Sequence, residues 1–113
     1  MILAVLVWGA ELAGSRLLME CDNQAVIEII SSGSSRSPAL MSLMRFFVLE
    51  CLRLNVAVGT TYIRSADNVG PDLLSRMKVA NFLNLFALAD RTPTPVACAW
   101  RTIYATCISR FYE

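Results

Sequence analysis

Hydrophobic positions change period several times along the chain. The clearest signal is Leu40, Leu43, Met44, Phe47, Cys51 and Leu54, which recur at three- and four-residue steps and so share one face of a helix. Pro38 suits the first turn of that helix, where its missing N–H leaves nothing unpaired, and Asn55 is the predicted stop. Ile2–Leu12 reads as the apolar end of an earlier helix, stopped by Gly14. Asp22 opens another, with Ala25, Val26, Ile29 and Ile30 on one face and Gly33 at its end. Two blocks read as strands. Arg16–Cys21 (RLLMEC) is short and apolar, and Val56–Ile63 (VAVGTTYI) is β-branched and aromatic. Residues 31–37 (SSGSSRS) form a polar loop, residues 65–71 a second loop, and Asp72–Met77 starts a further helix. The order helix, strand, helix, helix, strand, helix predicts an α/β fold, because strands separated by helical crossovers pair in parallel.

Beyond Lys78 the character changes. Residues 80–88 carry Phe82, Leu85, Phe86 and Leu88 as a short apolar helix, and residues 91–95 (RTPTP) have extended linker chemistry. Trp100–Glu113 is aromatic without a decisive period. Residues 1–78 are therefore expected to form the folded unit, and residues 79–113 a linker-like tail.

Composition sharpens the picture. The chain has 113 residues, 56% of them hydrophobic and 17% charged, with a net charge of +1 and a mean hydropathy of +0.53. Such a sequence is not disordered, and its charge balance makes no whole-chain case for binding nucleic acid or acidic lipid. It is also apolar for a chain that must leave much of its surface in water. The longest apolar runs, Ile2–Ala10 and Phe46–Leu54, fall short of the roughly 20 residues that cross a bilayer. A small secreted or membrane-associated protein is one reading of the apolar start, but no basic residues precede it and Glu11 would sit third before a cut after Ala13. Four cysteines without a CxxC pair, and without any His, argue against structural zinc and for reduced thiols in an intracellular protein.

Asp22 directly follows the first strand and Asp72 follows the loop after the second. Open α/β sheets bind ligands beyond the carboxyl ends of their strands, and a carboxylate there is a ligand type suited to Mg²⁺. The plainer reading makes both acids helix caps, since Asp is favoured at helix N-termini. Glu11 and Glu28 lie on helix bodies, Glu20 within a strand and Asp67 in a loop, so none is a convincing third ligand.

The segment from Val7 to Arg76 resembles the C-terminal part of a retroelement ribonuclease H domain, of the branch found in DIRS-type and gypsy-like retrotransposon polyproteins. The resemblance rests on Trp8-Gly9 with Leu12 and Gly14, on Cys21-Asp22-Asn23-Gln24-Ala25-Val26, on Ser34–Ser37 leading into Leu40-Met41 and Arg45, and on Asn68 followed by Asp72-Leu73-Leu74-Ser75-Arg76. It implies a partial RNase H-like fold: a two-stranded parallel remnant of the family's mixed sheet, with the first three strands absent. It implies two-metal hydrolysis of RNA in RNA–DNA hybrids as the ancestral activity, with Mg²⁺ as the metal. Asp22 and Asp72 match the third and fourth acids of a four-acid site. Asn23, Ser65, Asn68 and Arg76 fall at positions implied to approach the nucleic acid. The first-strand acid and the helix Glu have no counterpart, and the His of the family's loop is replaced, since these positions read Tyr62-Ile63-Arg64-Ser65. Little or no turnover and weak Mg²⁺ binding are expected. An inactive module binding nucleic acid or protein is the alternative, with Arg36, Arg45, Arg53 and Arg64 available to phosphates. The missing strands also imply an open apolar edge on Arg16–Cys21, and self-association through it.

Overall fold

A computed structural model of the chain describes residues 1–96 and 99–108. The elements are α1 (Ile2–Trp8), β1 (Arg16–Cys21), α2 (Gln24–Ser32), α3 (Pro38–Leu54), β2 (Ala57–Tyr62), α4 (Val69–Ser75), α5 (Val79–Leu85) and α6 (Ala99–Ile108). The strands β1 and β2 pair in parallel, in register from Arg16 opposite Ala57 to Cys21 opposite Tyr62. The α/β order and the parallel pairing are those expected from the sequence.

Local chemistry sets the boundaries. Asn23, not Asp22, caps α2: its Oδ1 accepts from Val26 N at 3.3 Å. Gly33 closes α2 at φ 68°, a left-handed conformation that costs glycine nothing. Ser37 Oγ caps α3 by accepting from Leu40 N, with Pro38 in the first turn and Asn55 at φ 54° ending the helix. The first helix is shorter than Ile2–Leu12: it ends at Trp8, and Gly9 to Gly14 are turns. Gly9 passes so close to Val5 O and the Leu54 side chain that a Cβ would collide with both. Gly14 N then donates to Asn55 O at 2.9 Å, which brings the starts of both strands together. The last helix of the matched segment begins at Val69, ahead of Asp72, because Pro71 falls in a first turn that tolerates it.

The long helix α3 is the spine. Its Met44, Phe47 and Cys51 are buried against Val5 of α1, with Met19, Ile29, Ile30, Leu54 and Val58 packed around them. These contacts join α1, α2, α3 and the inner face of the sheet into one small core. The helix α6 packs on the other end of α3, where Ala39 and Cys107 are buried beside Leu43, Phe46 and Ile103. Residues 99–108 of the expected tail are thus helical and docked on the core unit; the tail expected at residues 97–98 and 109–113 lies outside the described residues. Gly70 of α4 sits on the stacked Phe82 and Phe86 rings, whose centroids are 4.9 Å apart.

The sheet is packed on one face only. Leu17, Met19 and Cys21 are half-buried, while Arg16, Leu18 and Glu20 are exposed. Leu18 is 71% exposed and Leu52 of α3 70%. The radius of gyration, 15.3 Å, exceeds the roughly 13 Å usual for this length. The apolar excess in the composition is therefore carried partly on the surface. No helix of the described residues is long and apolar enough to cross a membrane.

Among the cysteines of the described residues, Cys21 is half-buried and Cys51 and Cys107 are buried, all as free thiols. Burial pushes the Cys51 thiol above its ordinary range, with the neighbouring Glu50 carboxylate adding to the effect. The folded chain thus holds this proton more tightly than the unfolded chain. The stabilisation is complete at neutral pH and is lost as pH climbs past the ordinary thiol value of about 8.5 towards the folded one. Iodoacetamide at pH 8 is expected to alkylate Cys51 more slowly than Cys21, and urea to abolish the difference; equal rates in the folded chain would contradict the packing of α3.

Candidate active site

The parallel pairing of β1 and β2 places their carboxyl ends side by side, Cys21 opposite Tyr62. Asp22 and Asn23 leave the sheet at this end, and so do Ile63, Arg64 and Ser65. The two loops that carry the sequence-matched residues therefore open on one edge of the sheet, where open α/β folds place ligands.

Asp22 lies in a bend between strand and helix, exposed to solvent. Its carboxylate has no hydrogen-bond or ion-pair partner among the described residues. The cap reading fails for both acids. Asn23 takes the N-cap of α2, and the N-cap position of α4 belongs to Asn68, whose side chain makes no capping bond. Asp72 instead sits in the first turn of α4, where the positive end of the helix dipole favours a carboxylate. Its Oδ1 accepts from Arg76 Nε at 3.1 Å, one turn on. Arg76, one of the residues implied to approach nucleic acid, is thus paired with an acid of the candidate site. The loop between β2 and α4 is braced by a second ion pair, Arg64 Nε to Asp67 Oδ2 at 2.7 Å. Asn68 N donates to the carbonyls of Arg64 and Ser65, which folds that loop into turns. Ser65 itself is exposed.

The Asp72–Arg76 pair follows from acid and base at four-residue spacing on a helix, whereas the Arg64–Asp67 pair depends on the turns of its loop and has no such signal in the sequence. Of the other acids, Glu20 stands on the exposed face of β1, and Glu50 is engaged by Arg53 at 2.8 Å. That contact, together with the carboxylate charge, raises the Arg53 guanidinium further above its already high range.

No group of three or more His, Cys, Asp and Glu among the described residues is placed to hold a metal ion. Two carboxylates are nonetheless the right donors for Mg²⁺, which commonly takes one or two of them and completes its shell with water and substrate phosphate oxygens. A cavity among the described residues reaches Cys21 but neither of the two acids. It has a volume of about 400 Å³ and is walled by Ile2, Val26, Ile30, Leu43, Phe47 and Trp100 among others, none of them a carboxylate. It is an opening in the apolar packing between the helices rather than a site of polar chemistry.

Comparisons of the chain with protein-family models, with curated proteins and with solved structures find no match.

Proposed function

We propose that residues 1–78 are the C-terminal part of a retroelement ribonuclease H-like unit. On this reading Asp22 and Asp72 are its metal-facing carboxylates, and the substrate class is an RNA–DNA hybrid. The observation that carries the reading is topological. The parallel register brings the Asp22 bend and the Arg64–Asn68 loop, which leads into Asp72, to the same carboxyl edge of the sheet. Asp22 is exposed there and has no partner among the described residues, so its carboxylate is open to a cation. A divalent cation would be held between these acids and a backbone phosphate, with Asn23, Ser65, Asn68 and Arg76 nearest in the chain to the same strand.

Two-metal hydrolysis requires ions that clamp both the attacking and the leaving oxygen. Asp22 and Asp72 supply too few ligands for that, so cation-dependent binding is expected without turnover. The alternative, a module that binds protein, is favoured by the bare outer face of the sheet with Leu18 at its centre.

A fluorescein-labelled RNA–DNA hybrid tests the reading. Mn²⁺ is expected to raise its affinity for the wild-type chain severalfold and to do nothing for Asp22→Asn, while the RNA strand stays intact with Mg²⁺ or Mn²⁺. Mn²⁺-independent binding, or an equal response in Asp22→Asn, would contradict a metal role for Asp22. Turnover that Asp22→Asn abolishes would contradict the loss of activity.

A further inference from the structure

The sheet uses only half of the backbone hydrogen-bonding capacity of β1. Ala57 N donates to Ser15 O and Ile63 N to Cys21 O, each at 3.0 Å. With the observed register, the residues of β1 whose amides and carbonyls point at β2 are therefore Leu17, Met19 and Cys21. Those of Arg16, Leu18 and Glu20 point the other way, and none has a hydrogen-bond partner among the described residues. The side chains of these residues stand on the exposed face, and Arg16 and Glu20 belong to no ion pair among the described residues. Such an edge is a template for another strand.

We propose that this edge binds a second copy of the chain, antiparallel, about a two-fold axis through Leu18. The strand reads Arg16-Leu17-Leu18-Met19-Glu20, basic at one end, apolar in the middle and acidic at the other. Reversed on itself, it sets Arg16 opposite Glu20 of the second copy, and Leu18 opposite Leu18. In that register every residue with outward-pointing groups meets another such residue and exchanges both N–H···O=C bonds with it. Leu17 meets Met19 on the packed face. A slip by one residue sets outward groups against ones already bonded to β2. Larger slips leave outward groups unpaired, and in the end oppose Arg16 to Arg16 or Glu20 to Glu20, which is repulsive. The edge thus carries both its own complement and its register. The far edge of β2 carries no such code: its outward residues Val58, Thr60 and Tyr62 are uncharged. Two strands alone make a marginal sheet, whereas a continuous β2–β1–β1–β2 sheet is a stable unit. This inference does not depend on any role for Asp22 or Asp72.

Charge reversal of the full chain, read by sedimentation equilibrium, tests the proposal. The wild type is expected to be a concentration-dependent dimer. R16E and E20R should each weaken it about tenfold, because like charges then face each other at both symmetry-related positions, and the double swap R16E/E20R should restore it. In the L18C variant, mild oxidation should join position 18 of the two copies, since opposed residues of a hydrogen-bonded antiparallel pair lie about 5.5 Å apart between Cα atoms, within disulfide reach. Peptide mapping identifies that bond against the native cysteines. A monomer at all concentrations, open-ended oligomers, or a dimer indifferent to the single reversals would overturn the proposal. If a reversal variant loses its circular dichroism spectrum, the L18C crosslink decides, and its absence overturns the proposal.

Discussion

Phe47→Ala is expected to remove most of the stability of the fold. Phe47 is buried at the centre of the core that α3 forms with Val5, Met44 and Cys51, and truncating a buried Phe costs about 3–5 kcal/mol. Single domains of this size have stabilities near the bottom of a range of roughly 0.05–0.15 kcal/mol per residue when their cores are small. Few of the described residues are fully buried, so the loss consumes most of what holds the fold. A urea titration followed by far-ultraviolet circular dichroism checks this: the midpoint should collapse or the cooperative transition disappear. Leu49→Ala is the control. Leu49 lies two residues on in the same helix but is 64% exposed, and a surface substitution of this kind moves stability by about 0.5 kcal/mol or less. Equal effects from the two substitutions would mean that α3 presents a different face to the core.

The helix and strand pattern was legible wherever burial enforces a period. The three- and four-residue steps from Leu43 to Leu54 fall on the buried or half-buried face of α3 because that face meets both the sheet and α1, while Leu40, at the start of the period, is exposed. The apolar block Arg16–Cys21 is a strand, as read, although it lacks β-branched residues; pairing with the β-branched β2 overrides its propensity. Tertiary context explains the misses. In α6, Ile103 and Cys107 pack on α3 and Trp100 is half-buried, while Arg101, Thr102, Tyr104, Ala105 and Thr106 are exposed; so few inward positions are too little to set a decisive period. Pro71 reads as loop punctuation in isolation, yet a first helical turn accommodates it. Asp22 and Asn23 are both good caps by residue type, and only the bend after β1 decides that Asn23 takes the role and leaves the Asp22 carboxylate free.

The candidate site was legible in part. The positions of Asp22 and Asp72 follow from strand ends and motif spacing, and the parallel register puts the loops leading to them at one edge. The engagement of Asp72 by Arg76 needed the helix geometry of α4, which starts earlier than the sequence suggests. That ion pair also bears on metal binding. On the proposed reading, a cation approaching Asp72 would compete with a guanidinium that is itself solvent-exposed, and exposed pairs of this kind are weak, so Arg76 would weaken the site without closing it.

The strongest spectroscopic effect expected of this chain is the response of its amide resonances to Mn²⁺, whose unpaired electrons broaden signals from nearby nuclei. If Asp22 and Asp72 face one cation, substoichiometric Mn²⁺ should broaden the amides around Asp22 and Asn23 together with those around Asp72, and excess Mg²⁺ should restore both sets. Asp22→Asn should remove the broadening at both acids, including the one it does not touch, because losing one of two carboxylates takes away half of the protein's ligands. Broadening confined to one acid, or unchanged broadening around Asp72 in Asp22→Asn, would contradict a shared metal site and with it the ribonuclease H-like reading of this sheet edge.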